Sequence, residues 1–67
     1  MRLQINGESR RFDSALTLAE LVEQLGMKPD RIAVELNHDI ASRDQWATIH
    51  LKDGDQLEIV HFVGGGL

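Results

Sequence analysis

Apolar spacing along the chain changes period twice and sorts it into strands and one helix. Arg2-Leu3-Gln4-Ile5 alternates polar and apolar, the pattern of a strand with one buried face. Asn6-Gly7 follows, a pair favoured in two-residue type I′ hairpins because both residues tolerate positive φ. Ser9 to Asp13 returns as a more polar strand with Phe12 as its inward anchor, its charges suited to a sheet edge. Leu18, Leu21, Val22 and Leu25 then line one face at helical spacing. Thr17 and Glu20 have the spacing of a capping box, and Leu16 can staple onto Leu21. Gly26 suits the position after the helix, and Pro29 blocks its continuation. These signals predict a helix over about residues 18–25 with its leucines in the core.

Period two resumes at Arg31 to Leu36, where Ile32, Val34 and Leu36 alternate with Ala33 and Glu35. Asn37-His38-Asp39 has turn composition. Ile40 to Trp46 is irregular, with a short helical turn expected at Ser42 to Gln45 and Trp46 expected over the end of the core. Thr48 to Leu51 and Leu57 to Val63 are expected to form a hairpin around Lys52-Asp53-Gly54-Asp55. The last strand is apolar on both faces, Leu57, Ile59 and His61 alternating with Val60 and Phe62, which predicts a central place in the sheet. With Leu57 and Ile59 toward the helix, Val60 and Phe62 point to the open side. There they either form a docking surface or lie beneath loops, and the pattern leaves both readings open. One amphipathic helix across a mixed sheet of four to five strands is an α+β roll.

Composition narrows what such a roll can do. At 67 residues the chain makes one domain, with little room for a deep private active site. Net charge is −4, from seven Lys and Arg against eleven Asp and Glu, and the cations are scattered. That excludes a nucleic-acid binder, which needs a positive footprint. Cysteine is absent, so disulfides, thiol nucleophiles and Cys-type zinc sites are excluded together. No apolar run approaches a membrane span, and Met1 leads straight into strand pattern, so a cytoplasmic protein is expected. His38, His50 and His61 lack metal-ligand spacing, and Asp53 and Asp55 read as solvated turn carboxylates. Gly64-Gly65-Gly66 is no phosphate loop, since neither a lysine nor a helix follows. Nothing pairs a nucleophile with a base, so the chain is not expected to be an enzyme by itself. The reading is a folded domain over 1–63 and a flexible glycine tail over 64–67, because glycines at a chain end are expensive to order.

Several stretches together carry a resemblance over nearly the whole chain: Asn6-Gly7-Glu8, Thr17-Leu18-Ala19-Glu20-Leu21, Val34-Glu35-Leu36-Asn37 and Ser42-Arg43-Asp44-Gln45-Trp46. Asp53-Gly54-Asp55-Gln56-Leu57-Glu58-Ile59-Val60 and Phe62-Val63-Gly64-Gly65-Gly66 continue it. In order and spacing the chain resembles the ThiS family, sulfur carriers of bacterial thiamin (thiazole) biosynthesis with a ubiquitin-like β-grasp fold. The resemblance implies that Gly64, Gly65 and Gly66 enter a partner's active site and that the Gly66 carboxylate is the working group. A ThiF-like adenylating enzyme would activate it with ATP and magnesium, the carrier itself binding no cofactor. Sulfur from cysteine, by way of a desulfurase, would give a thiocarboxylate for thiazole synthase, ThiG.

Two departures accompany the resemblance. The family pattern ends in glycine, whereas Leu67 follows Gly66 here, read as the stub of an expression tag; a native Leu67 would itself be activated or would need trimming. His38 stands where the family usually has glycine, in a turn away from the chemistry. The competing readings are a MoaD-like carrier for molybdopterin or another pathway, a β-grasp binding module with an inert tail, and a modifier conjugated to proteins.

Overall fold

The computed structural model describes residues 1–63. Its strands are β1 (Arg2–Ile5), β2 (Glu8–Arg11), β3 (Ile32–Leu36), β4 (Asp39–Ile40) and β5 (Gln56–His61), with one α-helix, α1 (Leu18–Gln24). They form a mixed sheet in the order β2-β1-β5-β3-β4, in which β1 and β5 run parallel and the other neighbours antiparallel. The last strand is therefore the middle one, as its two apolar faces required. This is the α+β roll read from the sequence.

The helix forms where its local signals place it. Thr17 Oγ1 accepts from the Glu20 N–H at 3.1 Å while Glu20 Oε1 accepts from the Thr17 N–H at 2.8 Å, closing the capping box. At the other end Leu25 is the cap and Gly26 adopts φ +75. The Gly26 N–H donates to Glu23 O and the Met27 N–H to Val22 O, the paired bonds of a Schellman stop. Leu18, Leu21 and Val22 are fully buried and meet Leu3, Ile5, Ile32, Val34, Leu57 and Ile59 from the sheet. Burying a side chain of this size stabilises by about 1.5–3 kcal/mol. Phe12 packs against the same core from beyond the end of β2.

Trp46 caps one end of the core at 3% exposure, and its indole N–H donates to Ala41 O at 2.9 Å. A 3₁₀ turn over Arg43–Thr48 carries it, longer than the short helical turn expected there. The Arg43 guanidinium lies 5.6 Å from the centre of its ring and donates to Pro29 O and Ile32 O. That ties the turn to the start of β3.

Two expectations need correction. Thr48 to Leu51 is not a strand paired with β5. Both edges of β5 are already taken by β1 and β3, so this segment pairs instead with the lead into α1. There the Leu18 N–H donates to Ile49 O and the Leu51 N–H to Leu16 O, each at 2.9 Å. His50 consequently bridges Thr17, while His61 lies opposite Ile32, so the two histidines are not cross-strand neighbours. The second correction is β4, a two-residue strand within a stretch read as turn and irregular chain. Asn37 and His38, at φ 51 and 75, make the tight reversal between β3 and β4, matching Asn6 and Gly7 at φ 51 and 83 between β1 and β2.

Candidate functional site: the open face of the sheet

Side-chain alternation divides β5 between two environments. Leu57 and Ile59 go under α1; Gln56, Glu58 and Val60 take the face with no helix. Across the strands, Val60 lies opposite Ala33, Glu58 opposite Glu35, and Glu35 opposite Ile40 on its other side. Val60 is 58% exposed, Phe62 57% and Ile40 72%. Among the described residues no loop covers the two whose placement the sequence left open. An apolar residue is thus exposed on β4, on β5 and just past the end of β5.

Ile40 was missed in the sequence because it falls in a stretch without periodicity. Treating Asn37-His38 as a two-residue hairpin loop would have found it, since that register puts Ile40 opposite Glu35. Gly64, Gly65 and Gly66, named for the tail, and Leu67 lie outside the described residues.

Two asparagines hold β5 in place from either side. Asn6 Oδ1 accepts from the Ile59 N–H at 2.7 Å and its amide donates to Ile59 O at 3.1 Å, so one side chain replaces a strand partner where β1 has ended. Asn37 Oδ1 accepts from the Gln56 N–H at 2.9 Å, while its own N–H donates to Gln56 O at 2.7 Å. Both asparagines sit at φ 51, a left-handed conformation that Asn tolerates better than most residues. Farther on, the Phe62 N–H donates to Arg31 O at 2.9 Å, carrying the pairing with the β3 side past the strand end. The backbone leading toward the glycines is firmly anchored.

Among the described residues nothing else assembles a reaction centre. No group of three or more His, Cys, Asp or Glu is placed to hold a metal ion. The turn carboxylates, expected to be merely solvated, cap backbone donors: Asp53 Oδ1 accepts from the Arg2 N–H and Asp55 Oδ2 from the Lys52 N–H. One hollow of about 110 Å³ lies on the open face between Gln4, Glu35, His38 and Glu58. A second, of about 230 Å³, lies between Met1, Arg2, Arg11 and Asp53. Both fall below the roughly 300–1,000 Å³ of ordinary ligand pockets. What the molecule offers is a surface and a strand end.

Comparison with known proteins agrees with this geometry. The family model described as "ThiS family" matches residues 3–66. A crystal structure of the thiamine biosynthesis protein ThiS from Geobacter metallireducens superposes with a TM-score of 0.86 at 33% identity, covering 98% of this chain and 100% of that one. The sulfur carrier protein ThiS of Escherichia coli is 32% identical over 66 residues, which is 98% of this chain and 100% of that protein. A thiazole synthase of Paramagnetospirillum magneticum is 44% identical over 66 residues, 98% of this chain but 20% of that protein. The chain thus spans about a fifth of the length of the curated thiazole synthases it matches. With the family model running from the first strand to Gly66, and a solved member of the same fold aligned end to end, the chain belongs to the ThiS family.

Proposed function

We propose that the chain is a sulfur carrier for thiazole formation in thiamin biosynthesis, and that its working group is the carboxylate of Gly66. The observation that carries this reading is the extent of the family match: it reaches Gly66, and sulfur carriers named ThiS align over essentially their whole length. In the proposed chemistry a carboxylate oxygen of Gly66 attacks the α-phosphorus of ATP on a ThiF-like adenylating enzyme that uses magnesium. Pyrophosphate leaves and a mixed anhydride with AMP remains. The terminal sulfur of a persulfide, made from cysteine by a desulfurase, attacks the carbonyl carbon as the C–O bond to AMP breaks, giving an acyl disulfide. A thiol then attacks the donor enzyme's sulfur of that disulfide, supplying the two electrons that release the thiocarboxylate and leaving a disulfide on the donor. The terminal thiocarboxylate then gives its sulfur to thiazole synthase.

The architecture suits that assignment. A cysteine-free chain can carry sulfur if its own terminus is the carrier, and glycines put no side chain in the way of attack at the carbonyl. The exposed Val60 and Phe62 would form the docking surface beside the tail. The match of this chain to a fifth of a thiazole synthase supports such an enzyme as a partner, since one polypeptide there contains both a carrier-like segment and a protein of that name.

Intact-mass measurement tests the proposal on chains ending at Gly66 and at Leu67, incubated with the cognate adenylating enzyme, ATP, magnesium and sulfide. The Gly66-ended chain should gain the mass of one sulfur replacing one oxygen, only with ATP, and should lose that gain when Gly66 is deleted. The Leu67-ended chain should remain unchanged unless trimmed. No gain in either form, with an enzyme proven active on another carrier, would leave a binding module as the better reading.

A further inference from the structure

Two pairs of like charge face each other across strands on the open side of the sheet, and they are of opposite sign. Arg2 lies opposite Arg11 across β1 and β2, and Glu35 lies opposite Glu58 across β3 and β5. Residues so placed in an antiparallel pair have Cβ atoms about 4.5–5.5 Å apart, and like charges there oppose folding. The residues flanking the glutamates on this face are Ala33, Ile40, Gln56 and Val60, none of them a lysine or arginine, while His38 lines the hollow beside the pair.

Charge on a strand often protects a sheet edge from pairing with another chain. That account suits Arg11 on the edge strand β2 and fails for the glutamates, because β3 and β5 are both interior. Two carboxylates also fall short of the ligand set of a calcium or magnesium site. Two like charges in the middle of the sheet, with exposed Ile40 and Val60 beside them, have their natural relief outside the molecule.

We propose that Glu35 and Glu58, framed by Ile40 and Val60, dock against arginine or lysine side chains of a protein partner at the rim of its nucleotide cleft, with an apolar recess beside them. The proposal rests on the carrier reading above and names the chemistry of the partner surface. A cleft that binds ATP has a positive field to hold the triphosphate, and that field draws in an acidic face. The geometry fits delivery of the tail. Glu58 lies on the strand that continues to Phe62, with Glu35 beside it on β3, whereas Arg2 lies at the start of β1, with Arg11 beside it on β2. β1 runs parallel to β5, so the arginines mark the far end of the sheet. Cation against glutamate near the cleft and arginines held away from it fix which end enters.

The test compares Gly66-ended wild type with the double variant Glu35→Gln, Glu58→Gln as substrates in ATP–pyrophosphate exchange by the cognate adenylating enzyme. Removing the repulsion should raise Tm. It should also lower kcat/KM about tenfold at low ionic strength through KM alone, a gap that closes as salt is added. Arg11→Gln serves as the control, with Tm also raised and kcat/KM equal to wild type or higher. An active wild type matched by the double variant at low salt would overturn the docking proposal alone. So would a double variant with lowered Tm, since the pair would then be holding the fold. Failure of the wild type itself to support exchange would overturn the carrier reading, and this proposal with it.

Discussion

Leu57 and Val60 sit three residues apart on one strand, yet Leu57 is 1% exposed beneath α1 and Val60 is 58% exposed on the other face. The contrast extends across the sheet. On the helix side all the strand residues at the centre are aliphatic, and among the described residues no polar or charged one is buried. On the open side, like charges oppose each other and apolar side chains meet water. A domain of this size has little stability to spare, since even its best core supplies only a modest margin. The open face nonetheless gives some of that margin up. The lesson is that one sheet divides its residues by face: α1's side holds the fold, and the other side leaves charged and apolar side chains in water.

Truncations on the two faces would break that comparison most directly. Leu57→Ala should cost about 2–5 kcal/mol, as for other fully buried leucines, and should lower the urea midpoint accordingly. Val60→Ala should move it by less than about 0.5 kcal/mol while weakening substrate behaviour with the adenylating enzyme. Equal destabilisation by both would show that the faces are not divided as described.

Next in size is Asn6→Ala. It leaves the N–H and C=O of Ile59 without the partners that β1 no longer provides, and should cost about 1–3 kcal/mol in the same measurement. Because β5 serves both faces, this change should harm fold and docking together, sharpening the contrast with Val60.

A further effect expected is a gain. His38 occupies φ 75 in the hairpin beside the Glu35–Glu58 hollow, where glycine would be unstrained. His38→Gly should stabilise by about 1 kcal/mol, read as a higher thermal midpoint. An unchanged or lowered midpoint would mean that the imidazole itself contributes to that hollow.

How much of this was legible in the sequence follows from the range over which each feature is determined. The capping box, the leucine stripe and Gly26 fix α1 within a few residues of one another, so the expected end at 25 and the observed end at Gln24 nearly coincide. The central place of β5 was legible from Val60 and Phe62, apolar residues on the face opposite Leu57 and Ile59, although Gln56 and Glu58 make the rest of that face polar. Thr48 to Leu51 misled because its alternation is a local signal, whereas a strand also needs a free edge, and occupancy of edges is decided by the whole sheet. β4 has two residues, too few for any period. The glutamate pair was illegible for a related reason: Glu35 and Glu58 stand 23 positions apart by their numbering, and only the register of β3 on β5 brings them face to face. For the site, the sequence placed Val60 and Phe62 on the open side but left their exposure undecided, and it could not show Ile40 exposed beside them.

The strand order has a consequence in time as well as in space. Synthesis proceeds from the N-terminus, and β5, the last of the five described strands, is the one that joins the β1–β2 and β3–β4 hairpins into one sheet. Until it arrives, the β1–β2 and β3–β4 hairpins have only each other's absent neighbour to pair with, and α1 has only half a floor to cover. Joining β1 to β5 closes a loop of more than fifty residues by their numbering, the kind of non-local contact that slows folding. The same chain region that completes the sheet also leads directly into the glycines. Under the proposed chemistry, folding and readiness for activation are therefore coupled: a nascent or misfolded chain would offer an adenylating enzyme a tail without the open face of the sheet.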